Sequence, residues 1–208
     1  MKGRNRLLIS SLVLVALFAL YPAVMVSCSK TPHYELSRFI SPETCGGCHS
    51  EIYAQWKNSM HNLSQGDIIY RLAAFDGLKG LTDRNEIAEA EHCVICHNPV
   101  GYVSGFPKTT SDEKQEERIA AITKEGVQCD FCHSATGARH VYNAAITLDP
   151  GHGEENPGTK RGPFADSKAD FHASAFSEFH TRSEICGVCH DVRHVAYGTK
   201  LETTYEEW

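Results

Sequence analysis

Hydrophobic residues are densest at the start of this chain, where they run almost unbroken from Leu7 to Val26. Beyond that run they recur at helical spacing only in short stretches. Ser50 to Met60 lacks Gly and Pro and places Ile52, Trp56 and Met60 at i, i+4 and i+8, which predicts a helix with one apolar face. Asp83 and Glu86 stand at capping-box spacing ahead of Ile87 and Ala90, so a helix is expected to reach His92. Thr110 and Glu113 open a charged helix over Ile119 and Ile122, running to about Lys124 before Gly126 stops it. From Ala169 to Ser183, the spacing of His172, Phe176 and His180 predicts a further helix. Residues 143–168, rich in Gly and Pro, read as a long irregular connection.

Lys2, Arg4 and Arg6 precede the first apolar run, so residues 1–27 have the form of an export leader and stand outside the fold. Met25-Val26-Ser27-Cys28 resembles a lipobox, in which Cys28 is lipidated and becomes the mature N-terminus. An uncleaved anchor and ordinary cleavage are the other two endings, since a run of about twenty apolar residues spans a bilayer. The first two leave the protein tethered to a membrane, in the periplasm or on the outer face of the envelope. Residues 28–40, with Pro32 and His33, read as a tether, and residues 41–208 as one domain.

Cysteine brings in the chemistry. Eight of the nine cysteines stand in four Cys-x-x-Cys-His pentads: Cys45, Cys48, His49; Cys93, Cys96, His97; Cys129, Cys132, His133; and Cys186, Cys189, His190. In such a pentad both thiols add to the vinyl groups of one porphyrin, and the adjacent imidazole becomes the proximal ligand of its iron. Paired all-thiolate zinc sites are the alternative, but zinc has no need of a histidine after every second cysteine. The sequence therefore predicts four covalent c-type haems, and no pentad cysteine is left for a disulfide.

Removing the leader leaves 181 residues, about 45 per haem, so the macrocycles are expected to serve as the core. The formal charge of −6 becomes −9 when Lys2, Arg4 and Arg6 leave with the leader. An acidic surface argues against nucleic acid as a partner and permits a basic redox partner protein.

Eight histidines remain besides the four proximal ones. His61 lies twelve residues past His49, about 18 Å along a helix, so as a ligand it would serve an iron attached elsewhere. His172 and His180 would lie about 12 Å apart on their predicted helix, which suits two different haems or one ligand and one propionate partner. His33, His92 and His152 read as solvated or locally hydrogen-bonded residues.

Several segments resemble the multihaem cytochromes of the cytochrome c-554 type. They are the first pentad with Ile52-Tyr53, Trp56 and Ser59-Met60-His61; Glu125-Gly126-Val127 ahead of the third; Arg161-Gly162-Pro163-Phe164; and Ser183 to Val192 around the fourth. The similarity runs in order over roughly residues 41 to 208. It implies that His61 and His140 are distal ligands to haems attached elsewhere in the chain, and it gives no equally firm assignment for His172 or His180. Members with one haem lacking a sixth protein ligand belong to the same group.

The expected protein is a mostly helical tetrahaem cytochrome with long irregular loops and a compact core of stacked haems. Its expected function is electron transfer between redox partners outside the cytoplasm, through iron held mostly by two histidines, with no catalytic residue. Two other readings stay open: a reductase with one open-sided haem acting on a small nitrogen oxide, and a subunit stacking its haems against other haem subunits. Thr203 and Glu206 form a capping box just before Trp208, and Tyr205-x-x-Trp208 repeats Tyr53-x-x-Trp56. The chain is therefore expected to be a fragment of a longer protein that continues into a further helix.

Overall fold

The computed structural model describes residues 33–76, 80–105 and 121–208. The leader, Cys28 and most of the helix expected from Thr110 lie outside the described residues; Ala121–Lys124, its last turn, is a 3₁₀ turn.

Residues 33–40, expected as a tether, enter the core instead. The Tyr34 amide donates to the Val103 carbonyl at 2.9 Å and its hydroxyl to that of Leu148 at 3.0 Å. Arg38 holds the carbonyls of Pro150 and Gly151 at 2.8 and 2.9 Å. Phe39 is buried with Val100, Val103 and Phe131 in one apolar cluster, and Ile40 is buried beside it in the chain. Burying these side chains and bonding their backbone outweighs the freedom a solvated tether would keep.

Ser41 caps helix α1 (Pro42–Gly46) by accepting from the Thr44 amide at 3.3 Å, and α2 (Ser50–Lys57) follows. The helix predicted to reach Met60 stops early. Asn58 donates its side-chain amide to the Ala54 carbonyl at 2.9 Å and Ser59 its hydroxyl to that of Trp56 at 2.7 Å, side-chain bonds that compete with the helical ladder. The chain restarts as α3 (Met60–Leu63). Ile52 and Met60, expected to face inward, are 64 % and 65 % exposed. Trp56 does turn inward, and its indole N–H donates to the Val127 carbonyl at 2.8 Å.

Asp67 caps α4 (Ile68–Arg71), which widens into a π-type turn over Leu72–Asp76. Asp83 caps α5 (Arg84–His97), accepting from the amides of Asn85 and Glu86 at 2.7 and 3.2 Å. That helix passes His92 and carries the whole second pentad. Asn98 ends it and caps α6 (Pro99–Val103) through the Gly101 amide at 3.0 Å. The third pentad is itself a helix, α7 (Cys129–His133).

Strands β1 (Ala135–Ala138) and β2 (Ile146–Leu148) pair antiparallel, with Ala135 opposite Leu148. Strands β3 (Thr159–Gly162) and β4 (Ala173–Phe176) pair parallel, with Thr159 opposite Ala173. Residues 143–168 are thus not irregular throughout, and the helix predicted from Ala169 to Ser183 is a strand followed by a 3₁₀ turn, Glu178–Thr181. The sequence signal was ambiguous, because residues four apart share a face of a strand as well as of a helix. Pairing with β3 decides the matter.

The fourth pentad begins in α8 (Glu184–Gly187), and β5 (Val192–Arg193) and β6 (Lys200–Glu202) form a short antiparallel pair before α9 (Thr204–Glu207). Thr203 makes no cap. The Thr204 amide donates instead to the Glu202 carboxylate at 2.8 Å, while Thr203 donates to Glu207 at 2.7 Å and Glu206 pairs with Lys200. The fold is helix-rich, with small two-stranded sheets and loops.

Gly126 lets the segment before the third pentad lie directly on α3. A Cβ there would collide with the His61 carbonyl and the Ser64 hydroxyl, and the next amide, Val127, donates to the His61 carbonyl at 2.7 Å. Gly126→Ala should therefore destabilise the folded protein by about 1–3 kcal/mol through overpacking, read as a lower denaturation midpoint. An unchanged midpoint would mean that this contact relaxes freely.

Candidate functional site

Each pentad forms a helical turn. In the first, the His49 amide donates to the Cys45 carbonyl at 2.9 Å; in the fourth, the His190 amide donates to that of Cys186 at 3.1 Å. Residues at i, i+3 and i+4 share one face of such a turn, so the two thiols and the imidazole of each pentad point the same way. None of the eight pentad cysteines is in a disulfide.

Three pentad histidines face a second imidazole from a distant part of the chain. His49 faces His172, with ring centres 6.4 Å apart and planes 27° from parallel. His133 faces His180 at 6.0 Å and 15°, and His61 faces His190 at 6.5 Å and 42°. A metal–imidazole bond is about 2.0 Å long, so two imidazoles on opposite sides of one ion have ring centres about 6 Å apart. The separations therefore match those of two imidazoles on one iron. His180 adds a second sign of fit, a buried Nδ1 with no partner, while its Nε2 bonds the Cys132 carbonyl at 2.9 Å.

The other ring nitrogens are oriented by backbone, as ligating imidazoles require. His133 Nδ1 bonds the Arg161 carbonyl at 2.6 Å and His172 Nδ1 bonds that of Ala173 at 3.0 Å. Desolvation, then the neighbouring His190, holds His61 below the usual histidine range. Burial does the same for His180, against the opposing pull of the Cys132 carbonyl. Both favour the neutral form that binds metal.

Two histidines behave differently. His97 faces no imidazole among the described residues; the ring stacked on it is Tyr70, at 4.2 Å. His140 lies against Tyr142 at 4.0 Å, with the Arg193 guanidinium 4.3 Å from the same ring. The structure does not bring His140 opposite a pentad histidine, because its loop is tied to the fourth pentad region. Asn143 exchanges hydrogen bonds with the Arg193 backbone at 2.7 Å each, and the Asn143 amide donates to the Asp191 carbonyl at 3.0 Å.

Residues 44–134 match the family model described as cytochrome c554 and c-prime. This chain has its first three pentads within that stretch. Its fold is similar to the crystal structure of a penta-heme cytochrome c552 from Thermochromatium tepidum, with a TM-score of 0.58 and 21 % identity, over 83 % of this chain. The chain spans about half of that protein, 51 % of its length. No curated protein sequence matches.

Two of the sites share a support that only half showed in the sequence. At the first, the Tyr53 amide donates to the His49 carbonyl at 2.8 Å, its ring covers Gly46, and its hydroxyl donates to Glu43 at 3.3 Å. At the fourth, the Tyr205 amide donates to the His190 carbonyl at 2.8 Å, its ring covers Gly187, and its hydroxyl lies 3.5 Å from that of Ser183. The repeated Tyr-x-x-Trp pointed to this; the long gap between His190 and Tyr205 concealed its equivalence to the short one between His49 and Tyr53.

The pentads also meet one another. Cys45 lies beside Cys129, Cys96 beside Cys189, and Cys132 near Cys186 and Cys189. Sequence reasoning also missed His194, whose Nδ1 lies 3.5 Å from Glu89 on α5, beside the second pentad. Nothing in its neighbours signals that contact.

A carboxyl pair flanks the first site. Burial, then hydrogen bonding and charge from Glu43, pushes Glu125 up to about 7, while the hydrogen bond from Glu125 holds Glu43 below its ordinary range. A carboxyl with a raised folded pKa binds its proton more tightly in the fold. Glu125 thus contributes its full stability below about 4.5 and loses it as pH rises towards 7, whereas Glu43 contributes above 4.5 and loses its share as pH falls. Glu125→Gln should flatten the decline in stability between pH 5 and 7, measured by denaturant unfolding at each pH. The same slope in both proteins would remove Glu125 as its source.

Proposed function

We propose that this chain is a multihaem c-type cytochrome that carries four covalent haems and transfers electrons outside the cytoplasm. They are bound to Cys45 and Cys48, Cys93 and Cys96, Cys129 and Cys132, and Cys186 and Cys189, with His49, His97, His133 and His190 as proximal ligands. His172, His180 and His61 close the first, third and fourth sites. The three facing imidazole pairs, at 6.0–6.5 Å, carry this reading. Two imidazoles fill both axial positions of an iron, which then changes oxidation state without exchanging ligands or admitting substrate.

The thiol contacts support a row in the order first, third, fourth, second. The second site then ends the row, and it is the one whose histidine faces a phenol. That observation favours a second reading, in which His97 holds an open-sided iron that takes a small ligand of the nitrogen-oxide type and the other sites supply its electrons. The test of both is electron paramagnetic resonance of the oxidised holoprotein, with the haem number read by mass spectrometry. Four haems with three low-spin signals and one high-spin signal are expected. His172→Ala should convert one low-spin haem to high spin and open it to carbon monoxide. A spectrum unchanged by that substitution would return His172 to a role in packing.

The export-type leader supports a carrier that works beyond the cytoplasmic membrane, and Cys28 is its proposed lipid anchor. Among the described residues no helix is long and apolar enough to cross a membrane. Labelled palmitate should enter the wild type and not Cys28→Ala. Equal lack of label, with both proteins in the membrane fraction, would favour an uncleaved leader helix.

A further inference from the structure

The second site is built around a contact that the other three lack among the described residues. The Tyr70 and His97 rings stack 4.2 Å apart with planes 6° from parallel. That is direct ring contact, well short of the 6.0–6.5 Å between the facing imidazoles. A metal bonded to an imidazole nitrogen lies in the plane of the ring. Tyr70 covers the face of that ring, so it does not stand across the iron as a sixth ligand would. What it restricts is the direction in which the His97 plane can turn.

Both rings are held from several sides. Tyr70 is 4 % exposed and packs with Ala74 and Val94. Its amide donates to Asp67 at 2.8 Å and its hydroxyl to the buried Gln65 side chain at 3.2 Å. His97 is gripped by the same segment: its Nδ1 bonds the Ser64 carbonyl at 3.2 Å, and the Ser64 hydroxyl donates to the His97 carbonyl at 2.7 Å. With Nδ1 donating to a carbonyl, Nε2 carries the free lone pair. Segment 64–70 therefore fixes the tautomer, the backbone and the ring plane of one imidazole.

We infer that Tyr70 is a positioning residue that locks the plane of the His97 imidazole and thereby sets how the second-site iron takes a small neutral ligand. This rests on the reading that the second site has no facing histidine. The proximal ring is the protein's lever on an iron with a free side, since its orientation and its hydrogen bond govern how strongly it donates to the metal and how far the metal can move when a ligand arrives. A phenol pressed flat on the ring damps rotation without adding charge.

The test compares the holoprotein with its Tyr70→Phe and Tyr70→Leu variants, reading carbon monoxide binding to the reduced protein and the iron–histidine stretching band. Tyr70→Phe keeps the stack and should behave as wild type. Tyr70→Leu loses it and should broaden the band and change the carbon monoxide rate by about tenfold, the usual scale for groups that orient a metal ligand. A Tyr70→Leu protein with its full haem complement, an unshifted band and an unchanged rate would overturn the inference. Should that variant fail to mature, Tyr70→Met, which also removes the flat ring from His97 but keeps more of the side-chain volume, should broaden the band likewise; a band identical to wild type would again overturn it. A wild-type protein with no high-spin iron and no carbon monoxide binding defeats the open-site reading itself, and the two failures are thus told apart.

Discussion

Much of the arrangement depends on one buried carboxylate. Asp130 sits between the two cysteines of the third pentad, and its oxygens accept from the Ile40 amide at 2.8 Å, from the Ser134 hydroxyl at 3.0 Å and from Lys160. These partners belong to three parts of the chain: the segment leading into the first pentad, the end of α7, and β3. Removing a charge from water costs several kcal/mol unless it is paired and hydrogen-bonded, so the carboxylate holds only while all three parts are assembled. Its consequences spread from β3. The Arg161 carbonyl, next to Lys160, orients His133, and the pairing of β3 with β4 sets where His172 and His180 emerge.

The first and fourth sites reach a common geometry by different routes. Tyr53 arrives one helical turn after His49, whereas Tyr205 arrives only after the β5–β6 excursion, yet each amide meets the carbonyl of its pentad histidine at 2.8 Å. Each ring lies where a Cβ on the first glycine of the pentad would be, which explains a glycine at both positions and not in the second and third pentads, where Val94 and Asp130 stand. Only the first site has a carboxylate, Glu43, under the tyrosine hydroxyl; the fourth has Ser183. A shared scaffold therefore surrounds two sites with different charge.

How much of this was legible in the sequence depends on the range of the forces involved. The pentads are local, since three bonded neighbours fix their geometry, and so is the Asp83 cap of α5. The reading failed where distant partners decide. His172, Phe176 and His180 fit a helix and a strand equally well, and only β3, which lies far back in the chain, selects the strand. Phe39 looked like the end of a tether because its cluster partners, Val100, Val103 and Phe131, lie more than fifty residues away. His140 was expected to face an iron from the resemblance alone, and the Asn143–Arg193 exchange that turns its loop aside has no local signature. Tyr70 was invisible for the same reason.

Short segments do double duty, and this explains how so little chain arranges so many sites. Strand β4 is flanked by His172, which faces the first pentad, and by His180, which faces the third. The run from His61 to Tyr70 gives an imidazole to the fourth pentad and, through Ser64 and Tyr70, its grip to the second. The thiols are in contact within these same two pairs, first with third and fourth with second. A segment that supplies groups to two neighbouring sites ties their separation to a few backbone bonds, which do not stretch. The spacing between redox centres is then a property of secondary structure and not of side-chain packing alone. The third and fourth pentads are tied in the same way: His180, which faces the third and bonds the Cys132 carbonyl at 2.9 Å, stands only a short run ahead of the fourth, and the Val127 amide before the third bonds the carbonyl of His61, which faces the fourth.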